Sequence, residues 1–211
     1  MNSDSSPSET LYACSFATEL GWFCLLGHPA ENTGDTPMVQ GLVIGHADEE
    51  AAFEQATLLA SLHNWIADSE NIIEADWYPA LRHRLCDYAA GLPVDFSDVQ
   101  LVERRLTDFQ QKVLARTRTL TYGQTITYGE LAELAGRPRA ARAVGSVMAG
   151  NTVPVIVPCH RVVASGGKFG GFSAPQGPEL KKQMLKLEAE GSLAEHCPQT
   201  ETGQLVEATA G

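Results

Sequence analysis

The chain has 211 residues, 44% of them hydrophobic and 19% charged, with a net charge of −11. That is an ordinary globular composition with room for one large domain or two small ones. It excludes a membrane-spanning helix, since no run approaches ~18 uncharged apolar residues. Met1–Glu9 is polar, without the basic start and apolar run of a secretory signal, so a soluble cytoplasmic protein is expected. The five cysteines (Cys14, Cys24, Cys86, Cys159 and Cys197) are odd in number and irregularly spaced. A secreted disulfide framework does not fit them, and a reducing compartment leaves a thiol available as a nucleophile.

In chain order, residues 1–10 read as a disordered lead. Leu11–Thr18, Gly21–Leu26 and Met38–Ile44 are short apolar and β-branched runs punctuated by Gly and Pro, the pattern of antiparallel strands. From Glu49 to Asn64, Phe53, Ala56, Ala60 and His63 or Asn64 recur at helical spacing, with Leu58, Leu59 and Leu62 widening the stripe. Ala80–Ala90 predicts a second helix, stopped by Gly91 and Pro93. Residues 11–90 thus form a small α/β domain with an antiparallel sheet, and residues 91–102 a linker.

Charge changes sign beyond that linker. Residues 1–101 hold 16 acidic and 2 basic side chains; residues 102–188 hold 13 basic and 6 acidic. Such a block suits an anionic partner, although an acidic domain beside a basic one without any partner reads equally well. Asp108 or Thr107 can cap a helix to about Thr119, with Phe109, Val113 and Leu114 inward. Thr127 and Glu130 make a capping box for the next helix, which Gly136 ends. A third helix over about Arg139–Ala149 follows, giving a helix-turn-helix. Its face of Ala141, Gly145 and other small residues, with Arg139 and Arg142 projecting, would let the backbone approach a nucleic-acid groove; packing against another helix would also use small residues. Then comes Asn151 to Val163, strand-like on both sides of Pro158-Cys159-His160-Arg161. Gly-rich residues 165–172 form a loop, Leu180–Glu190 a closing helix, and 191–211 an acidic tail.

A thiol reacts as thiolate and needs a base or a positive charge nearby. Adjacent strand residues face opposite ways, so a water-bridged path from Cys159 to His160 fits better than direct contact. The string Pro158-Cys159-His160-Arg161-Val162-Val163 resembles the active-site signature of the O6-alkylguanine-DNA alkyltransferases. The similarity extends through Tyr122-Gly123, Ile126–Ala132, Ala140–Gly145, Gly150-Asn151 and Gly170–Phe172, over residues 103–190. The resemblance implies an α+β protein whose second domain is mainly helical with a winged helix-turn-helix-like unit. It implies a one-turnover DNA repair activity moving an alkyl group from O6-alkylguanine in double-stranded DNA to Cys159, with O4-alkylthymine left open as a second substrate. No cofactor is implied, and the protein is expected to act as a monomer.

Position by position, the resemblance implies that His160 takes the thiol proton through a water, that Glu188 orients His160, and that Asn151 braces the turn after the recognition helix. Arg142 would enter the DNA stack where the nucleotide leaves, with Ala141, Gly145 and Arg139 beside it. Tyr128 would donate to the guanine leaving group. The Val162 backbone would read the guanine edge, Met148, Pro154 and Phe172 would wall the pocket, and Ser173 would stand near O6. Phe172 lacks the hydroxyl that some relatives carry there as tyrosine. Two other classes compete: a damage-binding protein without chemistry, which would lack Cys159, and a cysteine hydrolase, which would need an oxyanion hole and no helix-turn-helix. Cys14, Cys24 and His28 could be considered for zinc, but their spacing is no recognised ligand pattern, and no metal is expected.

Overall fold

The computed structural model describes residues 10–167 and 170–195. Most of the expected lead and tail, residues 1–9 and 196–211, lies outside them. Strands β1 (Leu11–Thr18), β2 (Gly21–His28) and β3 (Met38–His46) form an antiparallel meander. The turn between β1 and β2 is closed by the Thr18 hydroxyl donating to the Gly21 carbonyl at 2.6 Å. Gly21 sits at φ 94°, a conformation glycine adopts without steric cost. Two short strands extend the sheet at its edges, β4 (Ile72–Glu74) parallel to β1 and β5 (Gln100–Leu101) parallel to β3. The order is β4-β1-β2-β3-β5, a mixed sheet around an antiparallel centre.

Alternation along the strands buries both faces. Cys24 and Leu26 point to one face, Phe23 and Leu25 to the other. Helix α1 (Glu49–Leu62), capped by the Asp48 carboxylate accepting from Ala51 N–H at 2.8 Å, covers the first face. It does so with Ala52, Ala56 and Ala60, spaced by four, whose small side chains let the helix lie close to the sheet. Of the expected leucine stripe only Leu59 packs inward, against this core, whereas Leu58 is 50% and Leu62 69% exposed. Cys14 belongs to the opposite face from Cys24, so the two thiols do not converge.

Helix α2 (Pro79–Ala89) covers the second face, starting on a proline whose missing N–H costs nothing there. Leu81, Leu85 and Tyr88 are fully buried. They share one core with Phe96 and Val99 of the 91–102 stretch and with Val153, Val155, Ile156, Val157, Leu180 and Met184 from the second half of the chain. Burial of each large aliphatic side chain is worth about 1.5–3 kcal/mol, so this shared core ties the two halves strongly.

The second half begins with α3 (Asp108–Arg118), capped by a Thr107–Gln110 box. Helix α4 (Tyr128–Leu134) follows strand β6 (Ile126–Thr127) and is capped by Thr127, whose hydroxyl donates to Glu130 Oε2 at 2.6 Å. After the turn at Gly136, α5 (Ala141–Ala149) begins two residues later than the sequence suggests, because Arg139 takes φ 72°. Phe109, Val113, Leu131, Ala132, Val144 and Met148 pack the three helices together. Strand β7 (Val162–Val163) pairs in parallel with β6, and α6 (Pro178–Glu195) closes the chain.

One expectation is overturned between α5 and β7. Residues 151–158 are not strands but consecutive tight turns, and Cys159–Arg161 is a single 3-10 turn. Pro154 and Pro158 have no N–H to give a ladder, so the β-branched residues around them cannot join a sheet interior. Among the described residues, no helix is long and apolar enough to cross a membrane.

Candidate active site and nucleic-acid face

Cys159 is held by the turns that precede it. Ile156 N–H donates to the Pro154 carbonyl at 2.9 Å, closing a γ-turn at Val155, whose φ is 70°. A β-branched residue with positive φ is strained, and such strain persists only where the surroundings fix it. They do so here from two sides. Asn151 donates its amide to the Val157 carbonyl at 2.9 Å and accepts from Val153 N–H at 3.2 Å. Leu42 of β3 donates its N–H to the Thr152 carbonyl at 2.8 Å, so the sheet anchors the loop directly.

Cys159 is 7% exposed and lines a cleft of about 990 Å³. Burial pushes its thiol up, outweighing the Asn151 amide and the Lys181 charge that favour thiolate. The resting group is therefore a thiol, and a base is needed to activate it.

Behind the cysteine lies a buried polar network centred on the Glu188 carboxylate. It accepts from Tyr88 OH at 2.9 Å, from Arg161 Nε and Nη2 at 3.0 Å each, and from the Gly123 N–H at 2.9 Å. His160 Nε2 lies 2.7 Å from Glu188 Oε1. Gly123 reaches this position at φ 75°, where a side chain would be strained. Arg161 also donates through Nη1 to the Leu120 carbonyl at 2.6 Å, so its charge is spent on the fold rather than on the thiol. Burial alone would raise the Glu188 pKa, but its bonds to His160 and Arg161 hold it down to about 2.

Burial pushes the His160 pKa below its ordinary value, with Glu188 pulling the other way. The imidazole is thus neutral, and the carboxylate beside Nε2 requires the proton there. Nδ1 is left as an acceptor, buried and without a hydrogen-bond partner among the described residues.

Lys181 is 1% exposed, donates to the Val162 carbonyl at 2.6 Å and lies 5.7 Å from the centre of the Tyr128 ring. Burial lowers its pKa to about 8, against the pull of Cys159. Burial likewise pushes the Tyr128 hydroxyl up, so it remains a proton donor.

The cleft gathers most of the residues expected from the sequence. Cys159, Asn151, Tyr128, Ala141, Arg142, Gly145, Met148, Pro154, Phe172 and Ser173 all line it. His160 and Glu188 stand behind it, fully buried. Val162 is also fully buried, and its carbonyl already accepts from Lys181. Arg139 is exposed in the turn before α5 and does not line the cleft. Ser173 directs its hydroxyl to the Ala149 carbonyl at 3.3 Å.

On α5, a Cβ added at Gly145 would meet nothing within 4 Å. Its smallness therefore serves no packing inside the protein and leaves this face of α5 open. Arg142 is exposed, with no carboxylate in ion-pair range among the described residues, whereas Arg137 is spent over the Phe109 ring at 5.0 Å. Gly170 (φ 70°) packs so close to Tyr128 that a Cβ there would stand 2.8 Å from the phenolic oxygen.

Sequence reasoning missed three contributors. Tyr88 comes from a helix whose aromatic reads as plain core. Lys181 had a signal, since it stands seven residues before Glu188 and so on the same helical face. The far wall of the cleft, including Leu42, Ile44, His46, Gln55, Leu59 and His63, comes from the N-terminal half and left no motif.

Comparison with known proteins agrees with this geometry. Residues 108–190 match the family model of the 6-O-methylguanine DNA methyltransferase DNA-binding domain. A methylated-DNA–protein-cysteine methyltransferase of Kluyveromyces lactis is 48% identical over 82 residues, 39% of this chain and 42% of that protein. The chain thus spans less than half the length of that relative. One from Methanosarcina acetivorans is 38% identical over 125 residues, 59% of this chain and 74% of that protein. A crystal structure of Mycobacterium tuberculosis OGT in complex with DNA superposes with a TM-score of 0.64 at 29% identity, covering 85% of this chain and 94% of that one.

Proposed function

The chain belongs to the methylated-DNA–protein-cysteine methyltransferases, the O6-alkylguanine-DNA alkyltransferase family, and on that footing we propose that it repairs alkylated DNA by taking the alkyl group onto Cys159. The observation that carries this reading is a buried thiol opening on the cleft beneath α5, with a neutral histidine and an ionised carboxylate behind it. The target alkyl group is inside a duplex, so the nucleotide must be extruded at a cost of a few kcal/mol. Arg142, exposed at the cleft rim, is suited to fill the gap it leaves.

In the proposed reaction, His160 Nδ1 accepts the Cys159 proton through a water, while Glu188 holds Nε2–H. The sulfur attacks the alkyl carbon, and the carbon–O6 bond breaks with its electron pair going to the guanine. Tyr128 donates a hydrogen bond to the departing base, which lowers the barrier. The thiol proton is balanced by one gained on the guanine ring, so alkyl group and proton exchange places. The thioether is inert, and each molecule acts once. The Lys181 ammonium, placed near the thiol, stabilises the thiolate as it forms. Duplex DNA carrying O6-alkylguanine is the proposed partner, with the protein acting as a monomer in the cytoplasm.

The test is intact mass after incubation with a duplex carrying O6-methylguanine. One methyl adduct per chain, mapped to Cys159, is expected. Cys159→Ala should give no adduct yet retain the duplex, because binding rests on the helix-turn-helix. Methylation of the alanine variant at the parent rate would reject the assignment, and multiple turnovers without an adduct would indicate a hydrolase.

A further inference from the structure

Tyr88 stands apart from the other groups around His160, because it comes from α2 in the N-terminal half. It is fully buried, and its hydroxyl lies 2.9 Å from Glu188 Oε1 and 3.1 Å from His160 Nε2. Its ring is wedged edge-on between Phe96 and Tyr122, each with its centroid 6.2 Å away, so the hydroxyl has one place to go. The direction of each bond follows from charge. Glu188 is ionised and can only accept, so the Tyr88 proton points to it. The phenolic oxygen then has only lone pairs to offer the imidazole, and it faces Nε2–H.

We propose that the N-terminal half completes the active site through Tyr88, a positioning residue that bonds both Glu188 and His160 and so holds the imidazole with Nδ1 as its free acceptor. This rests on the alkyl-transfer reading and extends it. By donating to Glu188, Tyr88 also draws charge from the carboxylate and keeps it from pulling a second proton onto His160. The groups facing His160 are Glu188 and Lys181 from α6, Tyr88 from α2, and Cys159 and Arg161 on its own turn. Of these, Tyr88 is the only one that can be stripped of its polar atom while its ring stays in the core.

The experiment uses the full chain and Tyr88→Phe, with Tyr122→Phe as comparison. Tyr122 also loses a part-buried hydroxyl, one bonded to the Gly91 and Leu187 carbonyls at 2.8 and 3.3 Å. His160 is titrated by NMR, without substrate, and alkylation of Cys159 by free O6-benzylguanine is followed by mass against pH. For Tyr88→Phe the His160 midpoint should rise by up to about one pH unit, because Glu188 loses a donor and more of its charge then acts on the imidazole. The acid limb of the alkylation rate should move up with it, so that transfer on that limb falls several-fold while the rate at high pH is largely kept. Tyr122→Phe should keep the parent midpoint even if it melts earlier. Equal midpoints in all three proteins would overturn the positioning role and leave Tyr88 as core. A parent that titrates as described but is never alkylated at Cys159 would sink the transfer reading instead.

Discussion

At the scale of single residues, Glu188 is the group on which most depends. It is a buried carboxylate bonded by Arg161, Tyr88, His160 and a backbone amide. Its pKa is about 2 in the fold against an ordinary 4.5. A depressed carboxylate pKa contributes stability that is fully present above the ordinary value and lost as pH falls through the folded one. Denaturant unfolding of the parent should therefore weaken progressively from about pH 4.5 down to about 2. Glu188→Gln should cost about 3–5 kcal/mol at neutral pH, because Arg161 is left buried without its partner. The variant should also show a shallower loss between those pH values. A variant as stable as the parent at neutral pH would mean that water reaches Arg161 and the network is not sealed. Cys159 and His160 were legible in a short string, whereas Glu188 was reached only through the family resemblance that this string carries. Tyr88 and the cleft wall at His46 and His63 were not legible, since their part in the site depends on long-range packing that leaves no local pattern.

At the scale of elements, a substitution on α5 can separate the proposed extrusion from the proposed chemistry. Arg142 lies on its exposed face, one turn from Gly145 and away from the Glu188 network. Its removal should slow repair of duplex O6-methylguanine by at least ~10-fold, about 1.4 kcal/mol of barrier, while leaving alkylation by free O6-benzylguanine nearly unchanged. Single-turnover rates at saturating DNA make the comparison, because arginine also contacts phosphates and weaker binding would imitate an extrusion defect. Equal slowing of both reactions would assign Arg142 to the fold of the site instead. The helices and the three long strands were legible, and the reason is local. The Thr107–Gln110 and Thr127–Glu130 boxes place their own N-termini, and Gly136 marks the stop before α5. The edge strands β4 and β5, three and two residues long, carry no period that could announce them. The 151–158 segment misled because β-branched residues favour strands, whereas its two prolines and Asn151 impose turns.

At the scale of the molecule, the charge step between the two halves suggests an autonomous basic domain joined to an acidic one, and the packing argues for the opposite. Val153, Ile156, Val157, Leu180 and Met184 are at most 7% exposed, and they are buried in a core shared with α2 and the sheet. Full burial of each such side chain contributes about 1.5–3 kcal/mol, and a whole domain is stable by only about 5–15 kcal/mol. Exposing all five at once therefore removes an amount comparable to the entire stability. The same cut takes away the Leu42 N–H that holds the Thr152 carbonyl, and with it one of the two restraints on the strained Val155 turn. It also removes the Tyr88 hydroxyl from Glu188. A fragment of residues 103–195 is therefore expected to keep helical far-ultraviolet circular dichroism, since α3, α4 and α5 have their own small core, but to lose cooperative melting and fast alkylation of Cys159 by free O6-benzylguanine. Adding residues 1–102 as a separate chain should restore part of both. If the fragment alone melts within a few degrees of the full chain and reacts at its rate, the second half carries a sufficient core by itself, and the shared core is dispensable for the site.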